Sequence, residues 1–367
     1  MIKIAYVINY IVKNGPSCVV RNLINNLDKT KYDISLITLF SGNDEEVVEQ
    51  LRSVGVTVLE CKTLNRMGCI LFQNQEFTKI LEREQYDIIH THGFIPDILS
   101  SRAAGTMKKI STIHNNMYED YLDSYGFYRS RIYIALHLSA LKKLDKCVCC
   151  SKSVFDVVNT KLNNTCYIRN GVEPVQAHSV ITRQQLNIPN DGRLFLYAGV
   201  LSSRKNVVWL VQQFVKYHSA NEYLIVLGEG EKESECRAFL DDHIKMLGFQ
   251  SDPAAYMKIS DIYISASKSE GFSISVLEAL SAGMGLFLSD IPSHRELIEM
   301  QDNTYIGEVF SQDAFCGKMN VLRQHMFQRN EISNFQNENI SAKSMTIKYD
   351  LAYGDLFTKE SLWKKLV

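Results

Sequence analysis

Short apolar, β-branched runs alternate with amphipathic helical segments along most of this 367-residue chain. No other feature restricts the fold as strongly. Residues 2–8, 32–40, 56–60, 86–92, 109–114, 146–150 and 167–171 read as strands, and residues 18–27, 45–54, 73–84 and 120–144 as helices, with a further helix from Ser153. Consecutive strands separated by helices must run parallel, because the crossover carries the chain back to the same end of the sheet. Helices then cover both faces. The pattern lapses over residues 172–191, which read as a linker, and then restarts. Strands at 194–199, 223–228, 244–248, 261–266 and 285–289 alternate with helices at 207–217, 231–240, 252–259, 274–283 and 293–300. The expected architecture is α/β, with two doubly wound Rossmann-like domains, residues 1–175 and 176–345, facing across a cleft. Within the second domain, residues 301–345 show no clear pattern beyond a Gln/Asn-rich patch near 328–339.

Hydrophobic content of 46% and charged content of 22% are those of an ordinary globular protein. A net charge of −1 gives no electrostatic basis for binding nucleic acid. Nine cysteines, an odd number, are scattered and read as reduced thiols. Cys147, Cys149 and Cys150 cluster in a strand, where packing explains them, and no second ligand pair suggests zinc. The first nine residues read as a buried strand rather than a signal segment, and no run approaches a membrane span. A cytoplasmic protein is expected.

Residues 267–283 carry the densest chemistry. An apolar strand runs into a turn at Glu270-Gly271, and a helix follows with Ile274, Leu277 and Leu280 on one face and Gly283 as its stop. Such a helix start offers free N–H groups and a positive dipole end to a phosphate. Ser273 and Ser275 add hydroxyls. Glu270 and Glu278 bracket this start, where a carboxylate would repel phosphate but accept hydrogen bonds from sugar or ribose hydroxyls. Ordinary capping chemistry also explains a Glu beside a Ser at a helix start. Arg204 and Lys205 follow the strand at 194–199, where they can reach the same phosphate. In the first half, Gly15 permits close backbone approach before a helix, although no G-x-G-x-x-G fingerprint is present. His92 closes a strand at its carboxyl end, where open α/β sheets bind ligands, and His114 ends the next strand. Arg129, Arg131, Lys142 and Lys143 interleave with Tyr128, Ile132, Ile134, Leu136 and Leu141 on one helix. That pattern fits either a solvated helix or a face for anionic lipid.

Taken in order, the segments 197–206, 226–230, 247–252, 270–280 and 282–283 resemble the donor-binding domain of the retaining glycosyltransferases of family GT4, which have the GT-B fold. Glu270 and Glu278 match the family's Glu-x7-Glu signature. The first half is similar through Asp87 to His92, Ser151 and Ile168 to Val172, and the likeness spans roughly residues 1–300. By this resemblance Glu270 contacts the donor sugar, Glu278 holds the ribose and Lys205 binds the diphosphate. Gly271, Phe272 and Ser273 supply the phosphate loop, Gly248 and Phe249 flank the nucleobase, and His92 stands near the anomeric carbon. Asn14 and Gly15 match the first domain's glycine-rich loop near the diphosphate, and residues 346–367 return to the first domain as a helix.

The implied activity is that of a hexosyltransferase. A sugar passes, with retention, from a nucleoside-diphosphate sugar, a UDP-sugar foremost, to a saccharide or lipid-linked saccharide in surface polysaccharide synthesis. No Asp-x-Asp motif is present, so neither metal nor other cofactor is expected. Peripheral contact with the inner leaflet is expected through the basic helix. Three positions depart from the family. Val200 stands where Arg is usual, so one of the two usual diphosphate cations is missing, with the neighbouring Arg204 the candidate to replace it; Asn14 replaces a glycine; and Gly285 replaces a common Pro. Val200 also raises the alternative of a non-catalytic GT-B subunit supporting a partner transferase.

Overall fold

A computed structural model describes residues 1–61, 65–72, 74–301 and 304–358. The chain forms two compact units. The first comprises Met1–Gly171 together with the chain from Ala342 onward, and the second is Val172–Ser341.

In the first unit the order is β1 (Ile2–Ile8), α1 (Gly15–Asn26), β2 (Tyr32–Thr38), α2 (Glu45–Ser53), β3 (Thr57–Glu60), α3 (Arg66–Leu71), α4 (Gln75–Glu84), β4 (Ile88–His92), α5 (Phe94–Arg102), β5 (Lys108–Ile113), α6 (Met117–Leu141), β6 (Lys146–Cys149), α7 (Lys152–Val158) and β7 (Thr165–Tyr167). The sheet runs β3-β2-β1-β4-β5-β6-β7, and every pair is parallel. The chain therefore winds outward one way from β1 and the other way from β4, so β1 and β4 flank the point where strand order reverses.

The second unit repeats the plan with β8 (Arg193–Ala198), α8 (Val207–Tyr217), β9 (Glu222–Leu227), α9 (Glu233–Arg237), β10 (Ile244–Gly248), α10 (Pro253–Ile259), β11 (Ile262–Ser265), α11 (Ile274–Ser281), β12 (Gly285–Ser289), α12 (Pro292–Glu299), β13 (Gly307–Phe310), α13 (Phe315–Arg323) and α14 (Arg329–Ile340). Its order is β10-β9-β8-β11-β12-β13, again parallel, with the reversal between β8 and β11. Phe195, Phe214, Phe287, Phe310 and Phe315 pack into its core. The expected α/β class with two doubly wound Rossmann-like sheets is what the chain adopts.

A last helix, α15 (Ala342–Asp355), belongs to the first unit and packs on α1. Tyr349 and Tyr353 are fully buried there. The Tyr353 hydroxyl lies 2.9 Å from that of Tyr6 and 2.8 Å from His90 Nδ1, and Tyr349 lies 2.7 Å from Thr112 Oγ1. Lys31 and Tyr32 both donate to Asp350. Residues 359–367 of the expected returning helix, and Gln73 of the helix expected at 73–84, lie outside the described residues.

Several sequence expectations need correction. The strand expected at 167–171 is β7, which ends at Tyr167; beyond it Ile168 and Asn170 still donate to the carbonyls of Cys149 and Cys150. The uninterrupted helix over 120–144 is broken at Gly126, whose φ of 73° favours glycine. The helix at 231–240 shrinks to α9. The helices α3, α5, α13 and α14 and the strand β13 arise where no element was expected. At Gly285 a Cβ would lie 2.4 Å from the Phe327 ring, so a proline there would require that ring to shift.

Candidate active site

In the second unit the reversal point brings together the loops after β8 and β11. The first loop is closed from below by backbone. At Gly228, with φ +121°, any Cβ would lie 2.0 Å from the Gly199 carbonyl oxygen, so the β9 loop can press against the β8 loop only through glycine. Asn206 then takes the left-handed conformation and starts α8, leaving Arg204 and Lys205 on the turn. The β11 loop carries Glu270. Backbone ties the two loops, with Lys268 N donating to Arg204 O at 2.9 Å.

Lys205 Nζ lies 2.5 Å from Glu270 Oε1, and Arg204 Nη1 lies 3.3 Å from Oε2 and donates to Ser269 O at 2.6 Å. The Glu270 side chain is only 8% exposed. Burial pushes its carboxyl up, but Lys205 and then Arg204 outweigh burial and hold it at about 2. Glu270 is thus ionised at neutral pH, an acceptor-only group suited to hydroxyls and unsuited to donating a proton. Val200, 61% exposed, points no cation here, and Arg204 is the second cation beside Glu270.

Gly271 and Phe272 are buried behind Glu270, and Ser273 caps α11 without a side-chain capping bond. Ser273 and Ser275 hydroxyls lie 3.2 Å apart, and Ser275 is held by Tyr263 at 2.9 Å. Glu278 sits in the middle of α11, and Gly283 beyond its end has φ +76°. Gly248 closes β10 and accepts from Gly228 N, while Phe249 is 64% exposed with its N–H 3.4 Å from Glu229 Oε1. His294, on α12, was not foreseen. Burial holds its ring at about 4, its Nδ1 lies 2.9 Å from Ser289 O, and its buried Nε2 has no partner among the described residues. Only its position after the Pro292 helix start hinted at a role.

The first unit has its own site at the equivalent point. A cavity of about 280 Å³ opens at the carboxyl ends of β1, β4 and β5, lined among others by Asn14, His92, Asp97, His114, Tyr121 and His137. Asn14 caps α1, accepting from Ser17 N at 3.0 Å, and Gly15 begins the helix. His92 Nδ1 lies 2.9 Å from His114 Nε2, and the buried His92 Nε2 has no partner among the described residues. Burial, then His90 and His114, lower its pKa well below the usual value, so the ring is neutral.

The structure thus groups Glu270, Lys205 and Arg204 in direct contact, with Gly271 to Ser273 adjoining. It groups His92 with Asn14 in the first unit. Gly248 and Phe249 stand two strands from β8, and Gly15 does not line the cavity. Asp97 escaped sequence reading because α5 was not anticipated, and Tyr121 and His137 because the break of α6 at Gly126 was not. Gly93, at φ +105°, is the residue that stops β4 and starts α5.

The sequence matches the family profile described as Glycosyltransferase Family 4 over residues 13–176 and that described as Glycosyl transferases group 1 over residues 180–334. It is 28% identical over 373 aligned residues to an O-antigen biosynthesis glycosyltransferase WclY of Escherichia coli, spanning 97% of this chain and 99% of that one. It is 24% identical to the UDP-Gal:alpha-D-GlcNAc-diphosphoundecaprenol alpha-1,3-galactosyltransferase of Escherichia coli, across 87% of both chains. Among solved structures, Anabaena Alr3699/HepE in complex with UDP and glucose superposes with a TM-score of 0.77 at 14% identity, covering 97% of this chain and all of that one. The lipopolysaccharide outer core galactosyltransferase WaaB gives 0.68 at 16% identity over the full length of both.

Proposed function

The chain belongs to the GT4 family of glycosyltransferases, with the GT-B fold, and from that premise we propose that it transfers a hexose, with retention, from a UDP-sugar to a saccharide or lipid-linked saccharide acceptor. The observation that carries this reading is the buried, ionised Glu270 bracketed by Lys205 and Arg204 at the reversal point of the second sheet. When a donor binds, Glu270 accepts from hydroxyls of the sugar. Lys205, Arg204 and the N–H groups at the start of α11 meet the diphosphate, and Glu278 takes the ribose. The bond from the anomeric carbon to the diphosphate breaks as negative charge grows on the leaving oxygens. Two cations and a helix start supply the stabilisation that such charge requires. The acceptor oxygen bonds to the same face of that carbon, and its proton passes to the leaving diphosphate. No step is routed through a metal. The UDP complexes of HepE and the UDP-Gal name of the Escherichia coli relative support a uridine donor, and the O-antigen name of the other supports polysaccharide synthesis.

Peripheral contact with an anionic bilayer belongs to the same reading. Phe127, Tyr128 and Ile132 of α6 are 57%, 82% and 62% exposed, with Arg129 and Arg131 among them. Exposed Met67, Leu71 and Phe72 lie on and just after α3, and α5 packs against both helices. Apolar groups interleaved with cations suit a lipid headgroup layer, and no helix among the described residues is long and apolar enough to cross a membrane. A cytoplasmic enzyme that visits the inner leaflet would meet both a soluble donor and a lipid-linked acceptor.

The test is nucleotide release from UDP-glucose, UDP-galactose, their N-acetylamino forms and GDP-mannose, with and without EDTA and a lipid-linked saccharide extract. Release from one donor, unaffected by EDTA and lost in Glu270→Gln, is the expected result. A non-catalytic subunit is the second reading, favoured by Val200. It predicts no release from any donor in the chain alone and restoration by a co-purifying transferase.

A further inference from the structure

Three polar side chains in the wall of the first unit's cavity form a hydrogen-bonded line that the donor chemistry does not use. Thr91 Oγ1 donates to Asp97 Oδ1. Asp97 Oδ2 lies 2.8 Å from His137 Nε2, and His137 Nδ1 lies 2.7 Å from the Tyr121 hydroxyl. Asp97 is 1% exposed, His137 5% and Tyr121 9%, and all three line the cavity. Tyr121 and His137 are both on α6, sixteen positions apart. In a straight helix that separation is about 24 Å, so the break at Gly126 is what folds the two halves of α6 back into contact.

The order of hydrogens along this line is fixed at one end. A carboxylate only accepts, so Asp97 requires a hydrogen on His137 Nε2. His137 Nδ1 and the Tyr121 hydroxyl share the next hydrogen bond, which a protonated ring donates from Nδ1 and a neutral ring accepts from the phenol. In both arrangements the Tyr121 oxygen keeps a lone pair free for a ligand. We propose that Tyr121, oriented through His137 by Asp97, is a positioning residue that hydrogen-bonds one hydroxyl of the acceptor sugar, and so sets which sugar the cavity takes. The proposal rests on the transferase reading above.

The surroundings fit a pyranose. The volume, about 280 Å³, falls just below the range of drug-sized ligand pockets, roughly 300–1,000 Å³, which suits one ring. The rings of Phe94, Tyr121 and His137 pack edge to face or stacked and give an apolar wall. Asn9, Asn14, Asn115 and Asp120 supply amide and carboxylate groups for the other hydroxyls. Burial, then the Asp97 charge, raise the Tyr121 pKa. That disfavours a tyrosinate base and favours a neutral phenol that holds a hydroxyl in register.

The test uses the full chain and the methyl α-glycosides of glucose, galactose, mannose and N-acetylglucosamine, with their monodeoxy forms, titrated by ligand-observed NMR. One parent glycoside should bind the wild type. Tyr121→Phe should weaken it about two- to tenfold, the range of one neutral hydrogen bond. The deoxy form lacking the contacted hydroxyl should bind wild type and Tyr121→Phe equally, an equality that a merely structural role for Tyr121 would not produce. Asp97→Asn, which keeps the phenol but loosens its orientation, should weaken the parent in the same direction. The proposal is overturned if no glycoside binds the wild type, or if Tyr121→Phe discriminates parent from deoxy forms as the wild type does. UDP titrated into the same samples separates the two readings. UDP binding without glycoside binding sinks this proposal alone, and glycoside binding without UDP binding sinks the donor reading.

Discussion

Replacing Lys205 by Met removes the ammonium while keeping most of the stem, and leaves Glu270 buried with Arg204 alone at 3.3 Å. Two routes give the size of the effect. Breaking one partner of a buried pair costs roughly 3–5 kcal/mol, and the remaining Arg204 contact moves the value to the low end. Independently, the Glu270 carboxyl is lowered from 4.5 to about 2. At about 1.4 kcal/mol per pH unit this amounts to about 3 kcal/mol shared by the two cations. A loss of about 2–3 kcal/mol in the second unit follows, or a fall of very roughly 5–10 °C in its Tm for a domain of this size. The sign with pH is fixed. A depressed carboxyl contributes stability that is fully present above its unfolded value near 4.5 and is lost as pH falls through about 2. The gap between wild type and Lys205→Met should therefore be widest at pH 7 and narrow below about pH 4.5. Urea titrations in a Trp363→Phe background would read the second unit through Trp209, which stacks on Phe310 in its core. Equal stability at pH 7, or a gap unchanged down to pH 3, would refute the electrostatic account of this cluster.

Other consequences are as direct. Gly228→Ala should destabilise the second unit by more than Lys205→Met does, since its Cβ would meet the Gly199 carbonyl oxygen at 2.0 Å; calorimetric melting checks this. Tyr353→Phe strips the partner from His90 Nδ1 and Tyr6 in a fully buried site, so the first unit should lose about 1–3 kcal/mol while the second melts unchanged. Glutamate at Arg129 and Arg131 should abolish co-sedimentation with vesicles containing anionic lipid and leave donor hydrolysis intact; sedimentation equal to wild type would remove the bilayer from the account.

The alternation of strands and helices made the parallel sheets legible because each strand is buried on both faces and reads as an apolar run. Elements were missed where that signal thins. The strand β13 has only four residues, on the sheet edge, and α5 carries buried Asp97 and Ser100 on a face that periodicity would call polar. The break in α6 was hidden because a lone glycine in an amphipathic pattern is usually tolerated as helix. At the site, Glu270, Lys205 and Arg204 were readable as residue types beside a helix start. Their mutual contact was not, since it depends on β8 and β11 being neighbours though more than sixty residues apart in sequence. The Tyr121–His137–Asp97 line is invisible to any local pattern. It joins two helices, and its geometry depends on the Gly126 break.

The central claim is that Lys205 and Arg204 receive a diphosphate while Glu270 receives the sugar. Calorimetric titration of UDP and of the UDP-sugar that turns over, into wild type, Lys205→Ala and Glu270→Gln, tests it most directly. The account predicts that Lys205→Ala loses at least tenfold for both ligands. Glu270→Gln should keep its affinity for UDP and lose the increment that the sugar adds. If UDP binds Lys205→Ala as tightly as wild type, or if Glu270→Gln discriminates UDP-sugar from UDP as the wild type does, the cluster is not the donor site.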